Sequence, residues 1–227
     1  KILNKKNETK FDYAGASGGF IDKYIGDAVM ALFDSPQGAI RAAIESAQSL
    51  HSMNEANPDR PPLRAGIGLH TGPLVLGTVG SDSRLSCTVL GASVNLASRL
   101  EGMTKTFGTT LIISEATREG LDDDENLSIR PLGVISAKGF NKGFALYEVL
   151  DLLPETIKVA RLKGLKDFEN GITAFTHGEF DIARNLFESC MNEDPSDAAS
   201  SLYNKECQSL ETTPLNSWQG ILRLTQK

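Results

Sequence analysis

At 227 residues, with 40% hydrophobic and 23% charged side chains, the chain has room for one medium globular domain and a small second one. Its 23 Lys and Arg against 29 Asp and Glu leave a net charge of −6, which argues against the basic stripe of a nucleic-acid surface. Cys87, Cys190 and Cys207 form no CxxC pair and point to a reducing compartment. The longest strictly apolar run, "AVMALF", is far short of the roughly 20 residues that cross a bilayer.

The start, "KILNKKNETK", is polar and leads into no signal-like segment. Because the first residue is Lys1, the chain is expected to be a fragment whose preceding part could carry a membrane or sensor segment. "GGFIDKYIGDAVMALF" reads as strand, turn, strand, with Gly26 and Asp27 at the tip. "PQGAIRAAIESAQSLHSMNEA" is an amphipathic helix with Ile40, Ala43, Ile44, Ala47 and Leu50 on one face, ended by "NPDRPP". One or two Gly-broken strands follow in "LRAGIGLHTGPLVLGTVG", then a hairpin arm in "SDSRLSCTVLG".

"SVNLASRLEGMTKTFG" is the next helix, with Ser93 expected as its N-cap, Gly108 just past its end, and Val94, Ala97 and Leu100 towards the core. Asn95 and Arg99, four apart, share another face of it. "TTLIISEATREGL" gives a buried strand running into a helix capped by Ser114. The acidic run 122–125 reads as a solvated loop, because its consecutive carboxylates lack EF-hand spacing. "LSIRPLGVISAKGFNKGFALYEVLD" then supplies two or three closing strands.

From Pro154 onward the pattern is wholly helical. Gly171, Ala183, Phe187 and Pro195, with "HGEFDIA" between the helices, resemble one tetratricopeptide-type helix pair. A single such unit cannot bury both faces, so it is expected to pack on the main domain, on a dimer mate or on an upstream domain. The tail "LNSWQGILRLTQK" carries the only Trp, expected to lie across that surface.

Asp27 draws attention first. A hard cation such as Mg²⁺ takes carboxylate oxygens, and a tight turn presents one beyond the strand ends, although "GD" is also ordinary turn chemistry. Taken together, the motifs say more. "GGFIDKYIGDAVMALF", "LRAGIGLHTG", "TVLGASVNLASRLEGMTK" and "LIISEAT" resemble, in order and spacing, the class III nucleotidyl cyclase catalytic domain. "PLGVISAKGFNKGFALYEVL" is similar to that family's final strands, and the resemblance covers residues 16–151.

The resemblance implies an α+β fold of ferredoxin-like or palm type, a mainly antiparallel sheet covered by helices and followed by a small all-α segment. Residues 1–153 would form the catalytic domain, 154–213 the tetratricopeptide-like segment and 214–227 a tail. The activity implied is adenylyl cyclase, ATP to cyclic AMP and pyrophosphate, in the cytoplasm. Guanylyl cyclase, or an incomplete cyclase-like module kept for dimerisation, stand as alternatives.

By the same resemblance Asp27 binds Mg²⁺ or Mn²⁺ in a two-ion site, Asn95 orients the ribose and Arg99 stabilises the α-phosphate. Lys23 and Thr88 match the purine-reading positions, where a Lys donor and a Thr hydroxyl complement adenine N1 and N6. Guanine-selecting members carry Glu and Cys there, and Cys87 is one place away from that position. Lys138 matches a lysine at the pyrophosphate end, although relatives often read Lys-Gly-Lys where this chain has Lys-Gly-Phe. The family's second metal aspartate lies some forty residues before the first, so this chain is expected to lack it. Sites would form between two copies of a homodimer, with Lys23 and Asp27 serving opposite ones. Arg64 and His70 read as structural, and Lys105 and Arg118 as solvated.

Overall fold

The computed structural model describes residues 13–81, 84–122, 126–137, 143–211 and 218–224. A one-turn helix, α1 (Tyr13–Ala16), leads into an antiparallel hairpin of β1 (Gly19–Ile25) and β2 (Ala28–Phe33). The turn needs only two residues because Gly26 takes φ 62, a left-handed conformation that costs glycine little. Helix α2 (Pro36–Glu55) starts sharply: Ser35 accepts the Gly38 N–H at 3.1 Å and Pro36 occupies the first turn.

After β3 (Ile67–Leu69), a second hairpin pairs β4 (Val75–Ser81) with β5 (Arg84–Leu90). Helix α3 (Ala92–Phe107) closes on Gly108 with φ 60, as its sequence predicts. Its N-cap is Gly91 rather than Ser93, because the Ser93 hydroxyl donates instead to Pro73 O at 2.7 Å. Then come β6 (Leu111–Ser114), α4 (Glu115–Glu119), β7 (Ile129–Ala137) and β8 (Phe144–Val149), and Ser114 caps α4 by accepting the Thr117 N–H. Helices α5 (Glu155–Lys163), α6 (Leu165–His177), α7 (Phe180–Glu193) and α8 (Ala198–Leu210) follow a short 3₁₀ turn. The carboxy-terminal part is not wholly helical, since β9 (Leu222–Leu224) forms a short strand.

The largest sheet has the order β3-β6-β8-β7-β9. β3 runs parallel to β6 and β9 parallel to β7, while β6–β8 and β7–β8 are antiparallel. Strand alternation divides β6 between two cores. Leu111 and Ile113 join Ile40 and Ala43 of α2, whereas Ile112 faces Leu96, Leu100, Met103 and Phe107 of α3. That second core continues without a break into Phe168, Phe175, Phe187 and Tyr203 of α6–α8. The helical segment therefore packs on the same chain's main sheet, one of the destinations expected of it.

α3 lies against β3 with almost no space between them. A Cβ on Gly68 would collide with the Ala97 carbonyl and the Glu101 amide, and would stand 2.8 Å from Leu100 Cβ. Gly68→Ala is therefore expected to push α3 outwards at a cost of about 1–3 kcal/mol, with a matching loss of any activity that α3 carries. Thermal unfolding and turnover, measured together, check this; an unchanged melting temperature would show that the helix yields freely.

Candidate functional site

The β1–β2 hairpin carries the first pair of predicted residues. Asp27 sits half-buried at its tip, beside Gly26. Lys23 lies on β1, where the register shifts between Ile21 and Lys23 and leaves Asp22 as the extra, unpaired residue of a bulge. The bulge breaks strand alternation, so neighbouring side chains meet: Lys23 Nζ is 3.1 Å from Asp22 Oδ2. The Asp22 side chain is only 8% exposed, and that oxygen has no hydrogen-bond partner of good geometry. The sequence reading passed over Asp22. Its one signal was the adjacent opposite charge in "FIDKYI".

Asn95 and Arg99 both project from α3, Asn95 exposed and Arg99 half-buried, while Leu96 and Leu100 on its inner face are buried. Val94 and Ala97 do not join that core as expected. They line a cleft with Ser93 and Ser98, because α3 turns them towards the hairpin. Thr88 belongs to β5 and its backbone pairs with Gly77; its side chain, like Lys138 and most of the acidic run, lies outside the described residues.

The cleft, about 400 Å³, is walled by β2 on one side and by β3 and α3 on the other. Val29, Met30, Leu32 and Ile67 make it apolar, and none of Lys23, Asp27, Asn95 or Arg99 lines it. No Lys or Arg is among the described residues that line it.

His70 directly follows β3, with Nδ1 2.8 Å from Ser114 Oγ, which in turn lies 3.1 Å from Thr117 Oγ1. Burial lowers the imidazole pKa, and the ring ties β3 to the β6–α4 corner, in line with a structural role. Arg118 is exposed, with its guanidinium 4.9 Å from the centre of the Tyr147 ring.

Far from the hairpin, five charged residues meet in the interior. The Arg130 guanidinium donates to Glu148 Oε2 at 2.6 and 2.9 Å and to Asp197 at 2.7 and 3.0 Å, and it stacks 4.1 Å from the Phe168 ring centre. Arg161 donates to Glu148 Oε1 and, at 2.9 Å, to Asp194. Burial alone would lower the Arg130 pKa, but the carboxylates of Glu148 and Asp197 raise it. Burial would likewise raise Asp197, yet the hydrogen bond and charge of Arg130 hold it below the usual value. This cluster joins β7 and β8 to α5 and to the start of α8.

Among the described residues no group of three or more His, Cys, Asp or Glu gathers as a metal cage. A lone carboxylate still suits Mg²⁺ chemistry, since that ion is commonly held by one or two carboxylates together with substrate phosphates. Among the described residues no helix is long and apolar enough to cross a membrane.

A sheet flanked by helices, a hairpin with a carboxylate at its tip and a helix carrying Asn and Arg four apart are the features on which the resemblance to the nucleotidyl cyclase domain rests. The family model of the adenylate and guanylate cyclase catalytic domain matches residues 17–150, and the chain belongs to that family.

Among its relatives, an adenylate cyclase of Anabaena cylindrica is 43% identical over 142 residues, 59% of this chain and 28% of that protein. The terminal-differentiation-specific adenylate cyclase of Dictyostelium discoideum is 32% identical over 211 residues. That match takes in 89% of this chain, well beyond the family domain, and 10% of the relative. The chain thus spans only a minor part of these proteins. A bacterial light-regulated adenylyl cyclase shares the fold at TM-score 0.56 and 28% identity, over 63% of this chain and 42% of that one. The guanylyl cyclase Cya2 does so at 0.51 and 29%, over 61% and 73%.

Proposed function

We propose that this chain is the catalytic part of an adenylyl cyclase that turns ATP into 3′,5′-cyclic AMP and pyrophosphate. The reaction joins the ribose 3′-oxygen to the α-phosphorus, releases the 3′ proton and breaks the bond to the leaving pyrophosphate. The observation that carries the reading is α3, which buries Leu96 and Leu100 and presents Asn95 and Arg99 together on its outer side.

Asn95 would hold the ribose by hydrogen bonding. The Arg99 guanidinium, a planar fork of donors, would stabilise the charge that builds on the α-phosphate oxygens. Lys23 and Thr88 would read adenine, and Lys138 would meet the pyrophosphate end. Asp27 would hold Mg²⁺ or Mn²⁺, which when bound lowers the pKa of the attacking hydroxyl and neutralises the triphosphate.

Metal ligand and phosphate ligand lie on separate elements, which suits a site completed by a second copy of the chain under two-fold symmetry. β1 and β4 expose Phe20, Tyr24, Ile25 and Val75, apolar surface of the kind a partner copy would cover.

A guanylyl cyclase is the second reading, favoured by the comparable fold similarity to Cya2. Incubation of the full-length protein with equimolar ATP and GTP under Mn²⁺ separates the possibilities. Dominant cyclic AMP is expected, and dominant cyclic GMP would reverse the assignment. No cyclic product would point to the module kept for dimerisation.

A further inference from the structure

We propose that Asp22 is a positioning residue for base recognition: its buried carboxylate fixes the Lys23 ammonium, and the two act as a pair in selecting adenine. The inference rests on the reading of Lys23 given above.

The bulge in β1 creates the pair. On a regular strand, neighbouring side chains point to opposite faces. Here Ile21 pairs with Ala31 and Lys23 with Met30, consecutive residues of β2, so Asp22 is the one residue added. A bulge of this kind re-aims a side chain, and it leaves Asp22 Oδ2 3.1 Å from Lys23 Nζ. The Lys23 side chain remains 33% exposed, whereas that of Asp22 is 8% exposed. The ammonium can therefore meet a ligand, and the covered carboxylate acts through it.

Asp22 is not held as the structural carboxylates of this chain are. Asp197, at the head of α8, accepts hydrogen bonds from Arg130, from Ser200 and from the Ala199 amide. Asp22 Oδ2 has the Lys23 charge beside it but no aligned donor. A buried carboxylate short of donors weakens a fold. What it supplies is a fixed negative charge against the ammonium.

Lysine needs such a neighbour. Its ammonium is a point charge on a flexible four-carbon stem, without the built-in direction of a guanidinium. One of its N–H groups can face the carboxylate while another faces adenine N1, an acceptor. Guanine presents an N1–H at the same edge. An ammonium held in place opposes that donor, whereas a mobile one turns away from it, so fixing Lys23 favours adenine twice over.

The test is steady-state kinetics of the full-length Asp22→Asn protein with ATP, with GTP and with 1-deaza-ATP, in which a C–H replaces the N1 acceptor. Asparagine keeps the shape and removes the charge. The KM for ATP is expected to rise about tenfold with kcat within about twofold, because a base contact is made in ground and transition states alike. The preference for ATP over GTP should fall by about the same factor. With 1-deaza-ATP the substitution should change nothing, since the contact it weakens is already gone. The melting temperature should hold or rise, and the Mn²⁺ concentration for half-maximal rate should stay where it is, although Asp27 lies on the same hairpin.

An unchanged KM for ATP, or an equal loss with 1-deaza-ATP, overturns the proposal. A shifted Mn²⁺ requirement also overturns it, because that would mark a distorted hairpin rather than a displaced ammonium. A Lys23→Ala protein with the wild-type KM for ATP instead refutes the reading of Lys23, a separate outcome. Should Asp22→Asn fail to fold, Asp22→Ser is measured on the same three nucleotides. The same rise is expected there, and a KM for ATP equal to the wild type would again refute the pair.

Discussion

Arg130→Met is expected to cost the protein about 3–5 kcal/mol and to lower its melting temperature by roughly 10 °C. The guanidinium is 1% exposed and lies between Glu148 and Asp197, which are as deeply buried. A methionine of similar length fills the space but leaves Glu148 and Asp197 short of compensating charge in a medium of low dielectric. The geometry cannot relax cheaply, because Asp197 also accepts from Ser200 and from the Ala199 amide at the head of α8.

The same cluster sets an acid limit. Asp194 and Asp197 have folded-state pKa values below the ordinary 3.8, despite burial that pushes the other way. A depressed carboxylate contributes stability above its unfolded value and loses it as the pH falls through the folded one. Stability from these two groups should thus be constant at neutral pH and decline below about pH 4. In Arg130→Met the Asp197 share should be gone already at neutral pH, so the acid slope should flatten. Chemical denaturation of both proteins between pH 3 and 7 checks this. Equal stabilities at pH 7 would show that the ion pairs only offset their own desolvation.

Arg99→Ala is expected to lower turnover by about 10²–10³, the usual effect of removing one donor aimed at transition-state charge. Asp27→Asn should abolish metal-dependent turnover to a similar or greater degree. Mixing the two inactive proteins under conditions of subunit exchange gives the sharper result. If each site takes Asp27 from one copy and Arg99 from the other, a mixed dimer holds one site with both defects and one intact site. Random exchange then restores about a quarter of wild-type activity, since half the dimers are mixed and each has one working site of two. Sites built within single copies would stay dead on mixing, which would sink the shared-site proposal while leaving the chemistry of each residue in place.

The parts of this fold that were legible in the sequence are those written in short-range periodicity. Gly26 and Asp27 between two β-rich runs announce a hairpin, and the four-residue spacing of Asn95 and Arg99 places them on one side of a helix whose end Gly108 marks. The structure has the hairpin and the helix at those positions. Ser93 misled because a hydroxyl near a helix start has more than one acceptor in reach, and Pro73 O is 20 residues away in the chain.

The charge cluster was illegible for the same reason on a larger scale. Arg130 reaches 18 residues to Glu148 and 67 to Asp197, and Arg161 reaches 33 to Asp194. No window along the chain contains such a set. Its only trace was a charge at an inward position of each strand, Arg130 in "LSIRPLGVI" and Glu148 in "FALYEVL". β9 was hidden by brevity, since three residues carry no measurable alternation. Its identity as a strand comes from β7, which offers it a place in the sheet.

The buried cluster has a consequence for synthesis. Arg130 and Glu148 leave the ribosome on the β7–β8 hairpin, whereas Asp194 and Asp197 follow nearly fifty residues later. Until then the hairpin's interior face bears a guanidinium with half of its carboxylate partners absent, so the sheet cannot close dry. Domains ordinarily fold as units, the amino-terminal one first as the chain emerges; here the interior charges of the sheet are matched only once the α7–α8 turn has emerged, so the sheet and the helical segment are expected to fold as one unit.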